Sequence, residues 1–185
     1  MISISWGFPH DSPGIGEIEE ALMKAHNQNI VILAAASNEG DLNEVAFPAC
    51  LDDSVICIAA ATGHDALADF TASDPAVQNY AALGIAVCGA SLKGILYQSN
   101  PTEIRSGTST ATPIAAGIAA LLIDFASRND CKLAKGHKSM LKLFHELSRD
   151  KATYRILAPH KLIKDPITLK GIIKDALANG TFMTY

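Results

Sequence analysis

With 185 residues, 49% of them hydrophobic and 18% charged, the chain has the composition of one globular domain able to bury a sizeable core. Its net charge of -4, without any basic run or basic face, excludes nucleic acid and anionic membrane surfaces as general partners. No stretch approaches the uninterrupted apolar length of a bilayer span, and Met1-Ile2-Ser3-Ile4-Ser5-Trp6 lacks the basic region and long apolar run of a secretory signal.

Residues 2–6 alternate apolar and polar side chains and read as a strand. Ser12-Pro13 then announces a helix with Ile15, Ile18, Leu22 and Ala25 on one face. Residues 30–36 form a continuous apolar run, the pattern of a strand covered on both faces, and Ser37-Asn38-Glu39-Gly40 ends it with turn chemistry. Strand, helix and strand in that order predict a right-handed βαβ unit. Residues 55–60 and 85–88 read as further short strands, so the sheet continues as parallel or mixed, whereas residues 91–105 show little periodicity. Residues 114–126 are apolar all round, which predicts a buried central helix. Beyond Arg128 lysines become frequent, and residues 139–147 and 169–177 read as peripheral amphipathic helices bracketing a connection with Pro159 and Pro166. No internal repeat or long linker marks a second domain. Residues 1–128 are expected to carry the core and residues 129–185 the peripheral helices of the same domain.

Cys50, Cys57, Cys88 and Cys131 have no CxxC spacing and no histidine cluster beside them, so they read as small buried hydrophobes or free thiols. No zinc site or other cofactor is expected, and a reducing, intracellular compartment is favoured. Asp41 and the Asp52-Asp53 pair lack calcium-ligand spacing and read as solvated loop acids, so no metal site is expected. His26 reads as a helix-end residue; His137, His145 and His160 read as surface or packing histidines.

The chemistry concentrates in Ser106-Gly107-Thr108-Ser109-Thr110-Ala111-Thr112-Pro113, directly before the apolar helix. Gly107 lets the backbone turn, Ser109 stands at the mouth of the helix, and Pro113 is expected in the first turn, where a missing N–H costs little. A serine there has a hydroxyl able to attack. Its own N–H, unpaired at a helix start and backed by the helix dipole, can meet an oxyanion. A serine before a helix is by itself most simply an N-cap, and Asn38 by itself a turn residue.

The two blocks together change that balance. Ser106 to Pro113 resembles the nucleophile site of the subtilisin-like serine peptidases, and Val31-Ile32-Leu33-Ala34-Ala35-Ala36-Ser37-Asn38-Glu39-Gly40 resembles the family's strand and turn whose asparagine amide completes the oxyanion hole. The order and separation of Asn38 and Ser109 are also similar to the family's. The resemblance implies Ser109 as nucleophile and Asn38 as oxyanion donor. It further implies Ser5, Trp6 and Gly7 as the strand edge that pairs with substrate, and Ala34, Ala35 and Ala36 as a wall of the pocket for the residue before the cleaved bond. Phe47-Pro48 resembles an aromatic-proline turn, often cis, at the pocket's far side. Ser37 departs from the family's glycine, and Ile114 from a common histidine.

The resemblance covers about the first two thirds of the chain and implies an α/β fold: a three-layer sandwich with a mostly parallel sheet. The family's Asp-Ser/Thr-Gly and His-Gly-Thr motifs, which lie upstream of the asparagine, have no match between Met1 and Asn38. The chain therefore resembles the C-terminal part of a catalytic domain, with its N-terminal part missing. It is expected to take a polypeptide substrate and to need an upstream polypeptide carrying Asp and His. His10-Asp11 and His64-Asp65 place imidazole beside carboxylate, but adjacent loop residues seldom orient one another toward a distant serine. The two blocks further resemble a fungal intracellular-type branch. The competing expectation is a non-catalytic remnant that keeps the peptide groove.

Overall fold

The computed structural model describes residues 1–40, 44–72, 74, 77, 79–92, 101–129, 136–151, 153–162, 170–171 and 173–174. In chain order the elements are β1 (Ile2–Ile4), α1 (Ile15–Asn27), β2 (Ile32–Ala35), β3 (Ile56–Ala61), β4 (Asn79–Leu83), β5 (Val87–Ala90), β6 (Thr102–Arg105), α2 (Thr108–Arg128), α3 (His137–Glu146), β7 (Ser148–Lys151) and β8 (Tyr154–Leu157), followed by a short 3-10 turn at Pro159–Leu162.

Six strands form one sheet in the order β1-β2-β3-β4-β8-β7. β1 to β4 and β8 run parallel, and β7 is antiparallel to β8 at the edge. β5 and β6 pair separately as an antiparallel ribbon. The expected β1-α1-β2 unit is present, with Ile2, Ser3 and Ile4 in register with Ile32, Leu33 and Ala34.

Strand alternation divides the core in two. Leu33, Ile56, Ile58, Ala60, Tyr80 and Ala82 pack with Ala111, Ala115, Ile118, Ala119 and Leu122 of α2 and Met140, Leu143 and Phe144 of α3. Ile4, Ile32, Ala34 and Cys57 pack instead with Leu22 of α1. β2 and β3 are buried along their whole length, as their uninterrupted apolar runs require. Helices on both faces of a mostly parallel sheet make the expected three-layer α/β sandwich.

Four expectations are corrected. The strand expected at residues 85–88 lies at Val87–Ala90 and pairs with β6 outside the main sheet. β4 and the hairpin β7-β8 are strands where no strand is legible, and β8 pairs with β4, so residues after 128 complete the sheet and are not only peripheral helices. α3 matches the helix expected at residues 139–147 and begins slightly earlier, while the helix expected at 169–177 falls largely outside the described residues. α2 is buried on one side only: Leu121 is 63% exposed on the other. This helix is also long and apolar enough, by length and composition, to cross a membrane, contrary to the expectation that no segment is. Its buried stripe lies against the sheet, which is the position of a core helix.

Candidate active site

The turn at Gly107 that leads to Ser109 is fixed from below by the end of β4. Gly107 N–H donates to the Gly84 carbonyl at 2.8 Å, just past the end of β4. A Cβ at Gly84 would lie 2.5 Å from Ala60 Cβ and 3.0 Å from the Gly107 carbonyl oxygen, so only glycine permits this approach. Gly107 itself has φ 152°, a backbone open mainly to glycine, and is the N-cap of α2. The helix begins at Thr108, earlier than expected, which places Ser109 second in the helix and Pro113 inside it, beyond the first turn. Pro113 leaves the Ser109 carbonyl without its i+4 donor. Thr110 Oγ1 and Thr112 Oγ1 donate to the carbonyls of Gly107 and Thr108 at 2.7 and 2.8 Å and brace the turn.

Asn38 follows β2 through Ser37, whose φ of 149° explains why glycine suits this position better. Thr108 holds the Asn38 amide by two donors. Its N–H and its Oγ1 reach Asn38 Oδ1 at 2.8 and 3.0 Å. A backbone N–H can only donate, so the amide oxygen must face Thr108. Nδ2 is thereby left as a donor, and among the described residues no acceptor engages it. The Ser109 N–H is in the same situation, because a first-turn N–H has no acceptor within its helix. Both donors belong to residues that line one cavity, Asn38 and Ser109. Sequence reasoning missed Thr108 and Gly84 as supports; the quoted motif contained Thr108, but nothing local distinguishes Gly84.

Ser109 Oγ–H donates to the Ser5 carbonyl at 3.0 Å, tying the start of α2 to the residue after β1. A cavity of about 320 Å³ opens here, lined by Ser5, Trp6, Gly7, Ala35, Asn38 and Ser109, together with Phe8, Pro9, His10, Ser37, Glu39, Glu44, Ala46 and Thr108. A second, of about 370 Å³, is lined by residues of β5 and β6 with Thr110, Pro113 and Ile114, and Ser109 lines both. Of the three alanines expected to wall the pocket, only Ala35 lines it. Ala34 and Ala36 are fully buried in the core cluster on the α1 side, because successive strand residues face opposite ways. The Phe47-Pro48 bond is cis, and Phe8 and Phe47 exchange backbone hydrogen bonds at 2.9 and 3.1 Å that join the two walls.

None of the described histidines serves Ser109. His10 lines the cavity, but its Nε2 is 3.0 Å from the Val45 carbonyl and its Nδ1 3.8 Å from Cys50 Sγ. Asp65 forms an ion pair with Arg149 at 2.6 Å. Burial pushes the thiols of Cys50 and Cys57 upward, so neither is a ready thiolate nucleophile. Cys50 is half-buried, Cys57 buried and Cys88 exposed; Cys131 lies outside the described residues. His137 takes the packing alternative of the two expected: it is buried and faces His26 across 5.7 Å between ring centroids.

The family model for Peptidase S8, the subtilase family, matches residues 1–142. The chain is 34% identical over 126 residues to subtilisin DY of Bacillus licheniformis, covering 66% of this chain and 42% of that protein. It is likewise 34% identical over 131 residues to an intracellular serine protease of Paenibacillus polymyxa, covering 69% of this chain and 37% of the relative. The chain therefore spans less than half the length of these relatives. Among solved structures, a variant of the protease domain of PatA superposes with a TM-score of 0.68 at 26% identity, over 92% of this chain and 60% of that one. The prenylagaramide maturation protease PagA superposes with a TM-score of 0.70 at 22% identity, over 93% of this chain and 62% of that one, a likeness of fold. A matched family model over three quarters of the sequence, relatives above 30% identity and a common fold lead to one conclusion: the chain belongs to the subtilase family.

Proposed function

We propose that this chain carries the nucleophile and oxyanion hole of a serine endopeptidase. The observation that supports it most is the double hydrogen bond from Thr108 to Asn38 Oδ1, which presets the asparagine amide beside Ser109. In this reading Ser109 Oγ attacks the carbonyl carbon of the scissile peptide, and its proton passes to a histidine base. Asn38 Nδ2 and the Ser109 N–H receive the developing oxyanion. Collapse breaks the C–N bond and the amine leaves with the proton from the imidazolium; water, giving its proton to the histidine, then attacks the acyl carbonyl, the ester C–O bond breaks, and Ser109 Oγ takes the proton back. Ser5, Trp6, Gly7 and Ala35 hold the substrate, which pairs as an extended strand with the segment Ser5 to Gly7 that follows β1.

The base and its orienting carboxylate come, in this reading, from an upstream polypeptide outside these residues, as the family's order of Asp, His and Ser requires. The branch assignment, fungal and intracellular in type, rests on the Asn38 and Ser109 blocks alone. Cleavage of a polypeptide by the protein with its upstream sequence, abolished by Ser109→Ala, is the expected result. Cleavage that survives Ser109→Ala refutes it. One observation favours a second reading, a peptide-binding module without chemistry: the Ser109 hydroxyl rests on the Ser5 carbonyl and not on an imidazole. Peptide binding without any Ser109-dependent turnover would select that reading.

A further inference from the structure

The cavity beside Ser109 has a chemical character that peptide-bond hydrolysis as such does not require. Trp6 and Phe8 contribute two aromatic rings whose centroids lie 5.2 Å apart, and the two residues are 48% and 40% exposed. Glu39 and Glu44 line the same cavity, and no Lys or Arg is among its described lining residues. His10 is the remaining titratable group there, and its Nε2 is taken up by the Val45 carbonyl.

On the reading that Ser109 is the nucleophile, we infer that the cavity takes a polypeptide residue with a long cationic side chain, Lys or Arg, in the position before the cleaved bond. An apolar occupant would gain nothing from the two exposed carboxylates. A carboxylate occupant would be repelled. A lysine or arginine satisfies both kinds of surface at once: its methylene stem lies along Ala35 and the aromatic rings, while its cation stays beside the glutamates. A cation over the faces of Trp6 and Phe8 gains further attraction from the ring quadrupoles. The net charge of -4 adds a field of the same sign, which draws basic segments toward the cleft.

Trp6 is the chain's single tryptophan, so its fluorescence reports on this cavity without any chemistry taking place. Ser109→Ala protein is titrated with three peptide amides that differ only in their last residue, lysine, norleucine or glutamate. The lysine peptide is expected to bind about tenfold more tightly than its norleucine counterpart, with the glutamate peptide weakest. That advantage should shrink in high salt and fall to near parity in the Glu39→Gln/Glu44→Gln double variant, while the norleucine peptide binds the double variant undiminished and so reports its folding. The inference is overturned if norleucine binds as well as lysine, if lysine keeps its advantage in both high salt and the double variant, or if no peptide perturbs Trp6. Failure of the peptidase reading shows separately, as absence of fluorophosphonate labelling at Ser109 in protein with its native serine and upstream sequence.

Discussion

His137 should make the stability of this chain sensitive to mild acid. His137 is 4% exposed at the start of α3, its Nδ1 has no hydrogen-bond partner among the described residues, and the His26 ring at the end of α1 faces it. Desolvation is the main force on its titration and the His26 charge the second, against a smaller opposing pull from a hydrogen bond to the Asp52 backbone; together they push it down to about 4. The unfolded chain binds the proton near 6.5, so between about pH 6.5 and 4 the unfolded state holds more protons than the folded one. Stability is therefore complete above 6.5 and declines as the pH falls through that window. At 1.36 kcal/mol per pH unit the expected loss is about 3 kcal/mol by pH 4. Urea midpoints of the unaltered chain and of His137→Gln, taken at steps across this range, separate this contribution from that of the carboxylates. The variant's profile should be flatter by that amount. Parallel profiles would refute the reasoning.

Three substitutions probe the nucleophile turn. Asn38→Ala should slow acylation of Ser109 by an active ester about 10²- to 10³-fold, the magnitude established for loss of such a donor in a subtilisin, and an unchanged rate would remove Asn38 from the hole. Gly84→Ala should lower stability by about 1–3 kcal/mol, read from urea midpoints, because the new methyl meets Ala60 Cβ at 2.5 Å and presses on the Gly107 carbonyl. It should also slow reaction at Ser109, which an independent surface change would not. Ser37→Gly should raise stability by about 1 kcal/mol: relief at φ 149° exceeds the loss of the exposed 3.2 Å bond from the Glu39 N–H to Ser37 Oγ and the greater freedom of an unfolded glycine. A melting temperature lower than that of the unaltered chain would contradict it.

What the sequence discloses and what it withholds follow from the range of the forces involved. β2 and β3 are legible because strands covered on both faces must be apolar at every position, and 0–5% exposure across them is the result. α1 is legible because Ile15, Ile18, Leu22 and Ala25 repeat at helical spacing, and these residues do meet in one cluster. β7 is not legible: Ser148–Lys151 is polar because it is an edge strand, and only pairing with β8 makes it a strand. α2 misleads in the opposite sense, since its small apolar residues give no sign of which side the sheet covers. The site divides in the same way. Ser109 and Asn38 stand in recognisable blocks, and Ala35 is separable from Ala34 and Ala36 only once strand alternation fixes which residue faces the cavity. Gly84, Glu44 and Phe8 reach the site through long-range contacts that no local pattern encodes.

The central claim is that Ser109 is a nucleophile set in an oxyanion hole with Asn38. Mass-spectrometric mapping of a fluorophosphonate adduct tests it most directly, on this chain joined to the upstream polypeptide that the proposed function calls for. The account predicts one adduct per chain, on the peptide containing Ser109, absent in Ser109→Ala and strongly slowed in Asn38→Ala. An adduct on another serine, or none while the protein is folded, would contradict it.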